Sequence, residues 1–290
     1  MRLAFALPLA LLAACSQRPP PAVNPHYVLG APYQAGGLWY YPHDSYEGEE
    51  TGLATVYASD HPALTSDGEA FDQTVLAAAH QTLQLPAIAR LTNLENGLQV
   101  LVRINDRGPA TPHRLVMVTR RTATLLGFAN DDAVRVRLQV LPAESHAAVD
   151  AVPGAPKLDL AAAPVGEVQQ TDLPPPGSAE PSGTGPTVVP VQEPAAPVAA
   201  PITRLPETVV QGSPDPGQLF IRLGTFHTYA YANIQRARVA GLGADIVSTR
   251  EGRTRTHRVI IGPLATVQEA DMVLDQVLQS GVTEARIVVE

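Results

Sequence analysis

Between Pro142 and Pro216 the chain contains not one Phe, Tyr or Trp, and proline recurs throughout, with Pro174-Pro175-Pro176 its densest point. A segment of that composition cannot bury enough apolar surface to offset the entropy of ordering it, so it reads as a disordered Pro/Ala-rich linker. No single core can run through it. The chain is therefore predicted to fold as two separate units, and the 28 prolines and 22 glycines, against 5% aromatic residues, make the folded part smaller than 290 residues suggests. A flexible segment of roughly seventy residues spans about 50 Å on average, and polyproline stiffening extends that. The expected division is a leader over 1–14, an extended arm over 15–51, a strand-rich domain over 52–141, the linker over 142–215 and a second folded domain over 216–290.

The net charge of −8 and pI near 5.5 leave no overall basic field to hold a polyphosphate, which argues against nucleic acid as a partner. One cysteine excludes an internal disulfide framework and a multi-cysteine metal site. No His/Asp/Glu spacing suggests another metal centre, and no cofactor is implied. Arg2 precedes an apolar run from Leu3 to Leu12, which falls short of the roughly 18 residues needed to cross a bilayer. Small residues then lead directly to Cys15. Leu12-Ala13-Ala14-Cys15 resembles a bacterial lipobox, which implies a lipoprotein signal peptide over 1–14 and lipidation of Cys15. Several acyl chains, at roughly 0.8 kcal/mol per buried methylene, anchor a protein without a transmembrane helix. Ser16 stands where an aspartate would mark inner-membrane retention, so the resemblance implies the periplasmic face of the outer membrane.

The arm is tyrosine-rich and carries the one tryptophan, Trp39; its aromatics are expected to pack onto the next domain, the alternative being a platform for sugar rings. From Gly52 to Leu141 apolar residues such as Ala54, Val56, Val100, Val102, Val134 and Val136 fall in short alternating runs, the mark of half-buried strands. Asp67-Gly68, Asn96-Gly97 and Gly108-Pro109 are turn signals. One short helix is predicted at Thr122–Leu126, closed by Gly127. In the last seventy or so residues two halves echo each other. Leu219–Leu223 and His257–Ile261 read as strands, each followed by Gly, a helical pattern and a closing β run. Two such halves predict an α+β ferredoxin-like (βαββαβ) sheet with both helices on one face.

Within the strand-rich domain, polar residues gather at turns: Gly68-Glu69-Ala70-Phe71-Asp72, Ala78-Ala79-His80-Gln81-Thr82-Leu83, Thr92-Asn93-Leu94 with Asn96-Gly97, and Arg103-Ile104-Asn105-Asp106-Arg107-Gly108-Pro109. In that order and spacing they resemble the rare lipoprotein A family, whose core is an all-β double-psi β-barrel. The resemblance covers residues 52 to 140. It implies an endolytic-type lytic transglycosylase, which cleaves the MurNAc–GlcNAc bond of peptidoglycan without water and leaves a 1,6-anhydro product. Such cleavage needs a proton for the leaving oxygen and stabilisation of an oxocarbenium-like centre, and one carboxyl can give the proton and later take one back. Mapped by motif, Asp106 is the acid/base, Glu69 its partner and His80 a neighbour that orients one of them. Glu69 as the proton donor stays open, because the Arg107 cation beside Asp106 in sequence would oppose a proton-holding acid unless its side chain points away. One departure bears on activity. Met117 stands where the family has an aspartate, so the alternative is a non-catalytic, peptidoglycan-binding lipoprotein.

The last domain has its own likeness. Leu219–Phe226 and His257–Leu264 resemble the two signature strands of SPOR domains, which implies binding to glycan stripped of stem peptides and enrichment at division septa. Arg222, Arg258, Phe226 and His257 are the candidate glycan-binding residues. Partners implied are denuded glycan strands, the membrane through the lipid, and septal amidases or divisome proteins.

Overall fold

The computed structural model describes residues 22–128, 133–156, 204–251 and 254–290. The expected signal peptide and Cys15 lie outside the described residues, as does the linker over 157–203. No helix among the described residues is long and apolar enough to cross a membrane.

The arm forms a small hairpin of β1 (Tyr33–Ala35) and β2 (Leu38–Tyr40). Its turn is Gly36-Gly37, with φ of +55° and +80°, the left-handed pair that a tight hairpin needs. A side chain at Gly36 would collide with the Ala110 carbonyl, so the hairpin lies directly on the barrel. The expectation that the arm's aromatics pack is met in part. Tyr33 stacks on Tyr40 at 5.4 Å and donates to the Gln81 carbonyl at 2.8 Å, whereas Trp39 is 58% exposed and Tyr41 is exposed as well.

Six strands close the barrel: β3 (Gly48–Val56), β4 (Ala77–His80), β5 (Ala87–Asn93), β6 (Leu98–Asp106), β7 (Val116–Val118) and β8 (Val134–Val140). Their order is β4-β7-β3-β8-β5-β6, and β6 pairs back to β4. The β3–β7 and β4–β6 pairs are parallel and the rest antiparallel. Strict alternation along β8 buries Val134, Val136, Leu138 and Val140, and the last three join the core of Val102, Ile104, Val116 and Leu91. Each such aliphatic side chain contributes about 1.5–3 kcal/mol on burial. Helix α1 (Arg120–Leu126) begins two residues before the predicted start because Thr119 caps it, its hydroxyl accepting from the Thr122 amide. It ends as predicted at Gly127, with φ +75°.

The linker needs correction at both ends. Helix α2 (Pro142–Asp150) lies within the span expected to be disordered and packs on β5, with Ala148 and Val149 buried. The buried Ser145 hydroxyl accepts from the Ile88 amide at 2.9 Å and donates to the Ile88 carbonyl at 3.0 Å. Further on, β9 (Val210–Gln211) pairs with β6, and Glu207 pairs with Arg121. Composition is an average over the segment. A short helix needs only a narrow stripe of small apolar residues and one satisfied hydroxyl, which that average conceals.

The C-terminal domain comprises β10 (Leu219–Phe226), α3 (Tyr229–Arg238), β11 (Asp245–Glu251), β12 (Thr254–Leu264), α4 (Val267–Gln279) and β13 (Arg286–Val289). The sheet order is β11-β12-β10-β13 with antiparallel neighbours, so β12 splits the parallel β10–α3–β11 unit in the ferredoxin-like manner. Both helices cover one face, over Leu219, Ile221, Leu223, Val259 and Ile261, with Leu274 packing from α4.

The two domains pack on one another along β3 and β13. Leu53 alternates with Ala54 and so points out of the barrel, yet it is 0% exposed because it joins the C-terminal core. Thr51 Oγ1 donates to the Val289 carbonyl at 2.8 Å and accepts from its amide at 3.1 Å, partnering backbone groups of an edge strand. Arg114 clasps Asp271 through two bonds of 2.8 and 3.1 Å, and Arg286 reaches Glu50 at 2.8 Å.

Candidate active site

The turn Thr65–Glu69 organises the polar end of the barrel. Thr65 and Glu69 exchange backbone and side-chain bonds, and Gly68 takes φ +81° where any side chain would strike the Asn24 carbonyl of the arm. Asn24 and His26 in turn donate their amides to the Gly68 and Asp67 carbonyls, both at 2.9 Å, so the arm straps this turn in place.

Asp106 ends β6 and is 3% exposed. Its Oδ1 accepts from the Ser66 amide at 2.9 Å, the Ser66 hydroxyl at 2.5 Å and the Arg107 amide at 2.8 Å. Its Oδ2 faces the Tyr57 hydroxyl at 3.3 Å and His61 Nε2 at 2.8 Å. Burial, then the Asp106 charge, holds the Tyr57 phenol well above its ordinary pKa, so it remains a donor. Ser66, Tyr57 and His61 were not found by sequence reasoning. The signal available for His61 and Tyr57 was proximity to the Glu69 motif in sequence, which does not tell which side chains turn inward.

Glu69, three residues after Ser66, is buried. Arg103 grips its Oε1 through two bonds of 2.8 and 2.6 Å, and Asn105 donates to Oε2 at 2.8 Å. Arg103 and Asn105 flank Ile104 on the same strand, and their period-two spacing aims both at one carboxylate. Asp67, within the same turn, is 0% exposed. Desolvation first, then the nearby Glu69 charge, raises its carboxyl to about 7. Its Oδ1 accepts from Thr65 at 2.7 Å while Oδ2 has no partner among the described residues. In the sequence it stands only as half of the Asp67-Gly68 turn signal.

A cleft of about 460 Å³ opens over this cluster, lined by Glu69, Asn105, Tyr57, Phe71 and, from the arm, Val23 and Pro25. Asp106 does not itself line the cleft; it meets the lining through the Tyr57 hydroxyl. The structure thus joins Asp106, through Ser66, to the turn that ends in Glu69, and leaves His80 out. His80 is buried and lines a second cleft of about 390 Å³ with Trp39, Tyr41, Glu50 and Arg286. Its Nδ1 accepts from the Thr82 and Leu83 amides at 3.3 and 3.2 Å, and its Nε2 lies 3.9 Å from Glu50. Burial pushes the imidazole down to about 4. His80 therefore touches neither Asp106 nor Glu69, which corrects its assigned orienting role; it braces the chain where β4 ends. Met117 lies under the Asp106 loop, its Cε 3.3 Å from where a Cβ on Gly108 would stand.

In the C-terminal domain Arg222 and Arg258 share the sheet face away from the helices, with Arg286 paired beside Arg222. Arg258 is tied to Glu290 at 2.7 Å. Phe226 and His257 pair with each other on the opposite, helix-covered face, where His257 is buried and held by Ser248 at 2.7 Å. The four candidates do not form one surface. A β-bulge between Arg222 and Gly224 shifts the alternation, a feature that spacing alone does not reveal.

A closed barrel with two parallel strand pairs and two buried carboxylates held by one turn, joined to a split βαβ sheet, defines a double-psi β-barrel protein with a C-terminal SPOR domain. The family models agree: that described as "Lytic transglycolase" matches residues 49–138, and that described as "SPOR domain" matches 215–285. The endolytic peptidoglycan transglycosylase RlpA of Pseudomonas aeruginosa (strain UCBPP-PA14) is 30% identical over 260 residues, 86% of this chain and 74% of the relative. The protein of the same description from Rickettsia felis is 36% identical over 125 residues, 42% of this chain and 55% of its own length. The chain thus spans little more than half of that relative. Among solved structures, the RlpA SPOR domain from Pseudomonas aeruginosa matches with 21% identity and a TM-score of 0.24, covering 25% of this chain and 99% of that one. This chain belongs to the RlpA family.

Proposed function

We propose that this chain is a lytic transglycosylase acting on peptide-free peptidoglycan glycan. One observation carries the reading: Asp106 and Glu69, buried and fixed by hydrogen bonds, are both held by the turn Thr65–Glu69, and Glu69 lines a cleft whose wall includes Tyr57, the hydroxyl that meets Asp106. In the first step a proton reaches the glycosidic oxygen as the MurNAc C1–O bond breaks, and the GlcNAc end leaves as an alcohol. In the second, the sugar's own 6-hydroxyl bonds to C1, its proton returning to the protein. Asp106 is the centre of that proton traffic. Glu69 is held by Arg103 and Asn105 where a negative charge favours the positive character developing at C1. The two steps consume no water and return the site to its starting state.

The SPOR domain places the cut. Removing a stem peptide frees the lactyl carboxylate of MurNAc, so denuded glycan carries regularly spaced negative charges. Arg222, half-buried beside Arg258 and Arg286, offers guanidinium groups suited to them. Cys15 carries the lipid that holds the protein to the outer membrane on the periplasmic side, with residues 1–14 removed, and the SPOR domain enriches it at the septum. Septal amidases, whose product is denuded glycan, and divisome proteins are the partners this reading implies.

Mass spectrometry of purified chain incubated with peptide-free strands tests the reading: 1,6-anhydro ends should appear, and should vanish in Asp106→Asn and Glu69→Gln. Met117, an apolar side chain under the Asp106 loop where the family has a carboxylate, favours a second reading as a glycan binder. Retention on glycan with no anhydro product would establish that one instead.

A further inference from the structure

His61 and Asp106 meet in a way that restricts where hydrogens can be. His61 Nδ1 lies 2.8 Å from the Pro62 carbonyl oxygen. A carbonyl only accepts, so that contact requires the hydrogen on Nδ1. Nε2 is then the nitrogen left facing Asp106 Oδ2, at 2.8 Å. A bare imidazole nitrogen and a carboxylate oxygen both present lone pairs and repel at that distance. One hydrogen must therefore stand between them, whether counted as imidazolium with carboxylate or as imidazole with carboxylic acid.

The surroundings keep the arrangement rigid. The His61 ring is packed 4.0 Å from Phe71 and 4.8 Å, edge-on, from Tyr57, centroid to centroid. Tyr57 and Phe71 both line the cleft over Glu69. On its other oxygen Asp106 accepts from Ser66 and the Arg107 amide, neither of which can supply a catalytic proton. The charged and titratable groups nearby have partners of their own: Tyr57 donates to Oδ2 from the end of β3, Glu69 and Arg103 pair with each other, Asp67 is tied to Thr65, Asp72 faces Arg204, Tyr33 donates to the Gln81 carbonyl, and the Arg107 guanidinium is bound to carbonyls of Leu83 and Leu29.

We propose that the acid/base of this site is the His61–Asp106 pair, with the transferred proton held on the line between His61 Nε2 and Asp106 Oδ2. His61 is a positioning residue that acts through Asp106. In the forward step the shared proton passes to the glycosidic oxygen as the C1–O bond breaks, leaving the pair one proton short. As the C1–O6 bond forms, the O6 proton refills the pair. The inference rests on the transglycosylase reading and deepens it by assigning the donor, and it supplies the second proton-binding group in a site where Met117 provides none.

The test joins nitrogen-15 NMR of histidine-labelled full chain to turnover of peptide-free glycan by the His61→Gln variant, whose amide keeps a hydrogen bond to Asp106 but holds no exchangeable acid proton. In the wild type His61 Nδ1 should carry its hydrogen throughout the active pH range. His61→Gln should lose about 100-fold or more in kcat, the scale of general acid–base catalysis, with KM within about threefold and the pH–rate profile losing a limb. A bare Nδ1 in the wild type, or turnover by His61→Gln within about threefold of wild type, overturns the pair while leaving the transglycosylase reading intact. A wild type that yields no anhydro product overturns that reading instead, and the Nδ1 signal then decides the pair alone.

Discussion

The Arg107 guanidinium turns away from Asp106, its neighbour in sequence. It donates to the Leu83 carbonyl and, at 2.7 Å, to the Leu29 carbonyl of the arm, so only its backbone amide touches the Asp106 carboxylate. Sequence adjacency had made Arg107 an obstacle to acid chemistry at Asp106. The fold removes the obstacle by giving the cation other acceptors, and in doing so fastens the arm across the Asp106 loop.

Replacing Arg107 with Met should therefore loosen the arm before it disturbs Asp106. The carbonyls of Leu83 and Leu29 would lose their donor, at a cost of about 1–3 kcal/mol. Urea unfolding should register that loss, and limited proteolysis should show cleavage appearing within residues 22–47. A variant with an unchanged arm and a displaced Asp106 loop would contradict the assignment.

Arg103 and Glu69 form a buried pair with two bonds between them, and removing one partner strands the other's charge. Arg103→Met is expected to cost about 3–5 kcal/mol. Combined with Glu69→Leu it should cost much less than the sum of the two single changes, a coupling that a double-mutant cycle by chemical denaturation measures directly.

Two buried groups give stability opposite slopes with pH. Asp67, raised to about 7, holds in the folded state a proton that the unfolded chain releases near its ordinary carboxylate pKa. Its contribution is full in acid and is lost as pH climbs from about 4 to about 7. His80, lowered to about 4, stays neutral in the folded state while the unfolded imidazole protonates below about 6.5. Its contribution is full at neutral pH and is lost as pH falls toward 4. Relative to the wild type, Asp67→Asn should make Tm rise more steeply with pH between 4 and 6.5, and His80→Asn should make it rise less or fall. Thermal melts at half-unit pH steps distinguish these outcomes.

Leu53 points outward from the barrel and is covered by the SPOR core. Leu53→Lys should separate the domains without unfolding either. Small-angle scattering would then show a larger radius of gyration, with the far-ultraviolet circular dichroism spectrum unchanged. Loss of barrel structure in this variant would mean that Leu53 serves the barrel rather than the contact.

The motif Arg103-Ile104-Asn105-Asp106 shows how far the chain could be read unaided. Period-two alternation already places Arg103 and Asn105 on one side of a strand, and the family resemblance points to Glu69 and Asp106. That Arg103 and Asn105 hold Glu69, 34 and 36 residues away, required the structure. His80 went the other way. Its motif suggested the catalytic cluster, but β4 ends there, and the amides of Thr82 and Leu83 draw the ring toward the second cleft. Phe226 was displaced from the Arg222 face by one bulge in β10, and plain alternation along β12 puts His257 on the opposite face from Arg258.

By itself the sequence determined where the chain can form cores, which strands alternate, where the tight turns fall and which carboxylates stand at them. These follow from local covalent geometry and from the balance of apolar burial against chain entropy. Tertiary structure alone decided which way the polar side chains at those turns face. The partners that satisfy them lie far along the chain, as Leu29 does for Arg107, and a buried polar group settles wherever its hydrogen bonds can be met.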